Sequence, residues 1–247
     1  MKKRGRPAKN PTEQLTHVAI DFSQITKLKN LDIDSRMMEQ MESGTVLDLL
    51  ISHEGGMPCA SNLMCVGDPG VGKTTVLLDF LAMTQLKNPT RKCLFISGEM
   101  GKKQMFKYTQ RYPQFGYVDT LFVSDFSQHN AKYMVEQVLN LGWALVLIDS
   151  IAEVIEMYKD TYRTTKSAAE LWFLNLQSVI KKGENKNKKY TTFINIQQVT
   201  KAGDFAGSNR LKHMTEAMCH LERIKDSDSR KIYFSKRSEE HTSELQS

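Results

Sequence analysis

Lys73 and Thr74 close a glycine-rich stretch whose spacing suits a triphosphate. Residues 63–80 read LMCVGDPGVGKTTVLLDF, and Gly67, Gly70, Gly72, Lys73 and Thr74 satisfy the pattern G-x-x-x-x-G-K-[ST]. Glycines let the backbone turn with its N–H groups aimed inward, and the helix that follows adds positive potential for an anion. A lysine at this position reaches β- and γ-phosphates, and the hydroxyl after it can ligate Mg²⁺. The pattern predicts binding of a nucleoside triphosphate in a cradle made of Gly67, Asp68, Pro69, Gly70, Val71, Gly72, Lys73, Thr74 and Thr75, with Thr74 on the metal.

Two carboxylates stand where such a cradle needs them. The apolar run CLFIS (93–97) reads as a buried strand, and Glu99 follows it after one glycine. In a sheet whose first strand feeds a phosphate loop, a carboxylate at a strand's carboxyl end points to the nucleotide crevice. There it could polarise the attacking water; taken alone it could equally be a helix cap. The second is Asp149, at the end of WALVLIDS (143–150). A continuous apolar strand is what the middle of a parallel sheet covered on both faces requires, and the aspartate at its tip suits Mg²⁺.

The elements that position these groups alternate in type. Apolar spacing predicts helices after the phosphate loop and over 101–112, 131–141 and 168–180, with strands over 119–124, 191–196 and 232–236. Residues 35–51 show helical spacing through Met38, Met41, Leu47 and Leu50, interrupted by Gly44, and Gly55-Gly56-Met57-Pro58 then breaks the chain. The lysine-rich run 181–189 reads as a solvated turn. With 247 residues, 40% of them hydrophobic, the chain holds one α/β core with small extensions. No apolar run spans a bilayer, no secretory signal is expected, and four scattered cysteines predict reduced, buried thiols without a metal cluster.

In order, the motifs GDPGVGKTT, FISGEM, LVLIDS and IQQVTKAGDFAG resemble the RecA-like ATPases, over roughly residues 44–236. The stretch VTKAGDFAG followed by RLKHM looks most like the RadA-type repair ATPases, whereas Glu99-Met100 is similar to the DnaB-type replicative helicases. The resemblance implies an α/β fold, a mainly parallel twisted sheet with helices on both faces, and a ring or filament of identical chains in the cytoplasm of a bacterial or phage-infected cell. It implies hydrolysis of ATP with Mg²⁺, Glu99 as catalytic base, Asp149 as the Mg²⁺-linked acid, and Gln198 or its neighbour Gln197 as sensor of the γ-phosphate. Single-stranded DNA is the implied partner. Two loops would meet it, 158–166 with Lys159, Arg163 and Lys166, and 201–212 with Lys201, Arg210 and Lys212; Tyr158 and Tyr162 could stack on bases. Plain solvated loops are the other reading of both segments. A DNA-dependent ATPase of recombination or repair is the leading expectation, a replicative helicase motor the second, and an ATP-switched DNA-binding accessory protein the third. The zinc module and the peptidase-like domain of the RadA type, and the primase-binding domain of the DnaB type, have no counterpart in these residues.

Both ends read differently from the middle. Residues 1–11 carry five Lys/Arg and no acid. Arg4-Gly5-Arg6-Pro7 resembles an AT-hook for the minor groove of A·T-rich duplex DNA, and a generic basic tail is an equal alternative. Residues 12–61 read as a leader and 62–236 as the ATPase core. Residues 237–247 (RSEEHTSELQS) match a frame translation of a common sequencing-library adapter. That match predicts a core cut at about Lys236, where the family resemblance implies a Lys/Arg-bearing segment that reaches the neighbouring subunit's ATP, and hence weak or absent ATP hydrolysis.

Overall fold

The structure is a computed structural model that describes residues 25–126, 131–199 and 208–236. The basic tail, Lys201 and residues 237–247 lie outside these, so the readings of the hook and the adapter do too. Residues 25–33 belong to a unit of their own that ends at Ile33 and carries a 3-10 turn at Leu28–Asn30. The unit that starts at Asp34 holds everything below.

It opens with β1 (Gln40–Met41), α1 (Leu47–Ile51) and β2 (Met57–Pro58), and β1 pairs antiparallel with β2. Then come β3 (Asn62–Gly67), α2 (Lys73–Lys87), β4 (Cys93–Ser97), α3 (Lys102–Arg111) and β5 (Asp119–Phe122). The chain continues through α4 (Ala131–Asn140), β6 (Leu145–Asp149), α5 (Ile151–Tyr162), α6 (Lys166–Lys181) and β7 (Thr192–Gln198), and closes with α7 (Asn209–Met214), β8 (Ala217–Arg223) and β9 (Arg230–Lys236).

Seven strands form one sheet in the order β5-β4-β6-β7-β3-β8-β9, and every pairing is parallel except β8 with β9. The apolar strands are continuous because both faces are covered. In β4, Cys93 and Phe95 enter the core under α2 and α3, while Leu94 and Ile96 enter the core under α4, α5 and α6. In β6, Leu145 and Leu147 share the first side, and Val146 and Ile148 the second. Cys65, Cys93 and Cys219 are buried and Cys59 is half-buried; all four are free thiols, and burial pushes Cys93 up to about 12.

Residues 35–51 are not the helix their spacing suggests. They split into a 3-10 turn (Ser35–Met38), β1 and the five-residue α1. Asp48 is the reason. Its buried carboxylate accepts from Ser43 N (2.9 Å), Ser43 Oγ (2.8 Å) and Gly44 N (2.7 Å), and Gly44 sits at φ +78°. Local side-chain bonds of this kind compete with helix. Met41 and Met57, fully buried, then pack into the sheet core from the hairpin.

Candidate functional site

The phosphate loop joins β3 to α2 as its spacing predicts. Asp68, Pro69 and Gly70 are exposed, and Gly70 (φ +74°) and Gly72 (φ +104°) take left-handed conformations that side-chained residues resist. A Cβ on Gly67 would lie 2.2 Å from the Leu221 carbonyl oxygen, so β8 can pass the loop only at glycine. Lys73 is buried, and its ammonium donates to the carbonyls of Gly67 (2.7 Å) and Asp68 (2.9 Å). Burial lowers its pKa, with Asp149 and Glu99 pulling the other way.

Asp149 ends β6 beside this loop, and the Asp149–Ser150 peptide is cis. Its Oδ2 accepts the Thr74 hydroxyl at 2.5 Å. Desolvation raises the carboxyl to about 6, the Thr74 hydrogen bond opposes that, and the Glu99 charge adds to it. A buried carboxylate beside a hydroxyl is an all-oxygen donor pair, the kind Mg²⁺ shares with substrate phosphates. Among the described residues no cluster of three or more His, Cys, Asp or Glu could hold a metal by itself. The residues present fit Mg²⁺ carried in with a nucleotide.

Glu99 is fixed from behind. The backbone N–H groups of Gly98 (2.6 Å) and Glu99 (3.2 Å) donate to the Asp149 carbonyl, tying the ends of β4 and β6 together. In front, the Gln198 amide donates to Glu99 Oε1 at 3.0 Å. Strand alternation separates the two glutamines. Gln198 follows Ile194 and Ile196 onto the phosphate-loop side, whereas Gln197 follows Phe193 and Asn195 to the other, where its buried Oε1 has no partner among the described residues. Strand β7 runs through Gln198, two residues beyond the expected end. Lys73, Thr74, Glu99, Asp149 and Gln198 thus line one cavity of about 650 Å³.

That cavity also takes Tyr108, Arg111, Tyr112 and Arg230, which motif reading missed. The first three come from α3 and its end, where Tyr112 stacks on Phe115 (5.0 Å between centroids). Periodicity marked α3 as amphipathic but could not say what its polar side faces. Arg230 starts β9, and its Nε donates to the Val71 carbonyl (3.3 Å). Lys236, at the other end of β9, donates to the carbonyls of Lys212 (3.2 Å), His213 (3.3 Å) and Thr215.

The two expected DNA loops differ from expectation. Residues 158–162 continue α5; only Arg163 (φ +47°), Thr164 and Thr165 are loop, and Lys166 opens α6. The helix persists because Lys159 pairs with Glu156, and Tyr158 stacks on Trp172 of α6 at 4.2 Å. Thr165 caps α6, accepting from Ala168 N at 3.2 Å. Arg210 and Lys212 are exposed on α7, which Ser208 caps, rather than on a loop.

No family model matches the sequence. The DNA repair protein RadA of Listeria monocytogenes is 30% identical over 168 residues, 68% of this chain and 34% of that protein. RadA of Streptococcus pyogenes is 28% identical over 210 residues, 83% of this chain and 42% of that one. The chain therefore spans about a third to two fifths of the curated relatives it matches. A KaiC-like protein from Pyrococcus horikoshii superposes with a TM-score of 0.57 at 17% identity, covering 82% of this chain and 90% of that one. The fold is RecA-like, and the distant RadA likeness supports a RecA-like ATPase in general. No helix among the described residues is long and apolar enough to cross a membrane.

Proposed function

We propose that this chain is a Mg²⁺-dependent ATPase of the RecA/RadA type that couples hydrolysis to single-stranded DNA in recombination or repair. The observation that carries the reading is the Gln198–Glu99 hydrogen bond across the mouth of the phosphate-loop cavity. It joins the candidate base to the strand that leads into residues 200–207.

The chain's own groups divide the work. Backbone N–H groups of residues 67–74 and the Lys73 ammonium bind the β- and γ-phosphates. Thr74 and Asp149 hold Mg²⁺, which when bound neutralises charge developing on the phosphate oxygens. Glu99 accepts a proton from water as its oxygen attacks the γ-phosphorus; the bond to the β-γ bridging oxygen breaks, releasing ADP and phosphate. Gln198 orients Glu99 and exchanges that bond for one to the γ-phosphate, so the end of β7 reports which nucleotide is bound. Tyr108 and Tyr112 offer flat apolar surface to the base.

The test is ATP hydrolysis by the full chain with and without oligo(dT), expressed as a ratio so that a low absolute rate does not matter. The expected result is salt-sensitive stimulation that Glu99→Gln abolishes while Mg²⁺-ATP still binds. A ratio of one with binding intact would overturn the DNA coupling, and normal hydrolysis by Glu99→Gln would overturn the choice of base.

A further inference from the structure

A second cleft opens at the opposite edge of the sheet. Its cavity, about 360 Å³, is lined by the apolar Leu141, Trp143 and Ala144 and by the cations Arg91, Lys92 and Lys189. It adjoins a smaller one of about 240 Å³ that shares Arg91 and Lys189 and adds Arg36 and Lys188. These residues lead into β4, β6 and β7 or pack beside their starts, whereas the phosphate loop lies past the strands' other ends. Five to seven residues at about 3.3 Å each put about 17–23 Å between the two edges.

The lysine turn on this edge is built rather than loosely solvated. Asn185 is buried; its Oδ1 accepts from Lys189 N (3.0 Å) and its Nδ2 donates to Lys189 O (2.6 Å). Lys186 N donates to Asn140 O (2.9 Å) and Asn187 Nδ2 to Leu141 O (2.5 Å), which stitches the turn to the α4–β6 connection. Ala144 N donates to Lys92 O (2.9 Å), which brings the third segment in. Lys92, Lys186, Lys188 and Lys189 are exposed, and their ammonium groups make no hydrogen bond or ion pair among the described residues. Of the acids on this side, Glu39 is engaged by Arg91 and Asp34 by Arg36, while Glu184 on the turn itself is exposed, so the four lysines outnumber the one open carboxylate.

We infer that this cleft binds single-stranded nucleic acid, with backbone phosphates on Lys92, Lys186, Lys188 and Lys189 and an unstacked base in the cavity beside Trp143. Several unneutralised ammonium groups spread over two segments suit a row of phosphates rather than one. The apolar lining between them suits the face of a base, which a paired duplex keeps within its stack. The site is separate from the carboxyl-edge DNA contacts proposed above and does not depend on ATP hydrolysis.

The experiment compares the full chain with a variant carrying Lys92→Ala, Lys186→Ala, Lys188→Asn and Lys189→Ala; asparagine suits the left-handed backbone at position 188 (φ +50°). Binding of labelled oligo(dT) is followed by anisotropy between about 50 and 200 mM salt. The dissociation constant is expected to rise at least about tenfold, and the slope of log affinity against log salt to fall by about 3, at about 0.7 per phosphate contact. DNA-free ATP hydrolysis and melting temperature stay as in the parent. The chain has 2 tryptophans, so Trp172→Phe leaves Trp143 as the sole tryptophan, and oligo(dT) is expected to change its selectively excited emission. Unchanged affinity and slope in the lysine variant would overturn the inference. So would duplex binding weakened equally with Trp143 silent, or saturation of the emission change by thymidine monophosphate alone, which would make this a mononucleotide pocket.

Discussion

Gln198 donates an amide hydrogen to Glu99 Oε1 at 3.0 Å, although Gln198 ends β7 and Glu99 follows β4, strands that are not neighbours because β6 lies between them. The contact holds the candidate base in place before any phosphate arrives. Gln198→Ala is expected to leave ATP affinity within about twofold and to lower hydrolysis by about tenfold, with loss of the oligo(dT) effect. Glu99→Gln goes further, lowering hydrolysis at least about 10²-fold. Single-turnover hydrolysis beside equilibrium nucleotide binding separates the two variants.

Asp149 sets a pH dependence on stability. Its carboxyl stands at about 6 in the folded protein against the usual 3.8, so the folded state holds this proton more tightly than the unfolded chain. The group therefore favours folding most when protonated, and that advantage is lost as pH rises from about 4 to about 6. In EDTA without nucleotide, Asp149→Asn is expected to gain about 2–3 kcal/mol over the parent at pH 8 and less at pH 5, while losing Mg²⁺-ATP binding. Calorimetry at the two pH values checks the sign.

Tyr112 borders the cavity and is braced by Phe115. Tyr112→Ala is expected to weaken ATP binding about tenfold and to leave inorganic triphosphate unaffected, because stacking on a base is worth about 1–3 kcal/mol. Competition of each ligand against a fluorescent ATP analogue reads the difference.

Gly142 makes the lysine turn possible. It holds φ +80°, and a Cβ there would stand 2.3 Å from Asn185 Oδ1. Gly142→Ala is expected to cost about 2–3 kcal/mol by denaturant titration, through left-handed strain and displacement of a buried amide. Weakened oligo(dT) binding should accompany it.

The nucleotide edge is legible in the sequence because its chemistry is local. One loop supplies the glycines, Lys73 and Thr74, and Glu99 and Asp149 each come at the end of a short apolar run that reads as a buried strand. What escapes is whatever depends on a distant partner. Tyr108 and Arg111 read as helix surface until the phosphate loop is placed opposite. The segment from Tyr158 to Tyr162 carries its own helical spacing, and the stack on Trp172 confirms it against the loop that the family frame implies. The lysines of 186–189 look merely solvated because nothing local shows that Asn185 is buried beneath Gly142. The Asp48 bonds that break the helix of residues 35–51 involve neighbours only, and there apolar periodicity simply outvoted a polar side chain.

Strand β7 begins beside the lysine turn and ends on Glu99. It is hydrogen-bonded on both sides, to β6 and β3, so one continuous strand links the two edges. Thermodynamics then fixes a symmetry. Any factor by which an anion on the amino edge alters nucleotide affinity must equal the factor by which nucleotide alters affinity for that anion. One titration performed in both orders would measure that exchange from either end of a single strand.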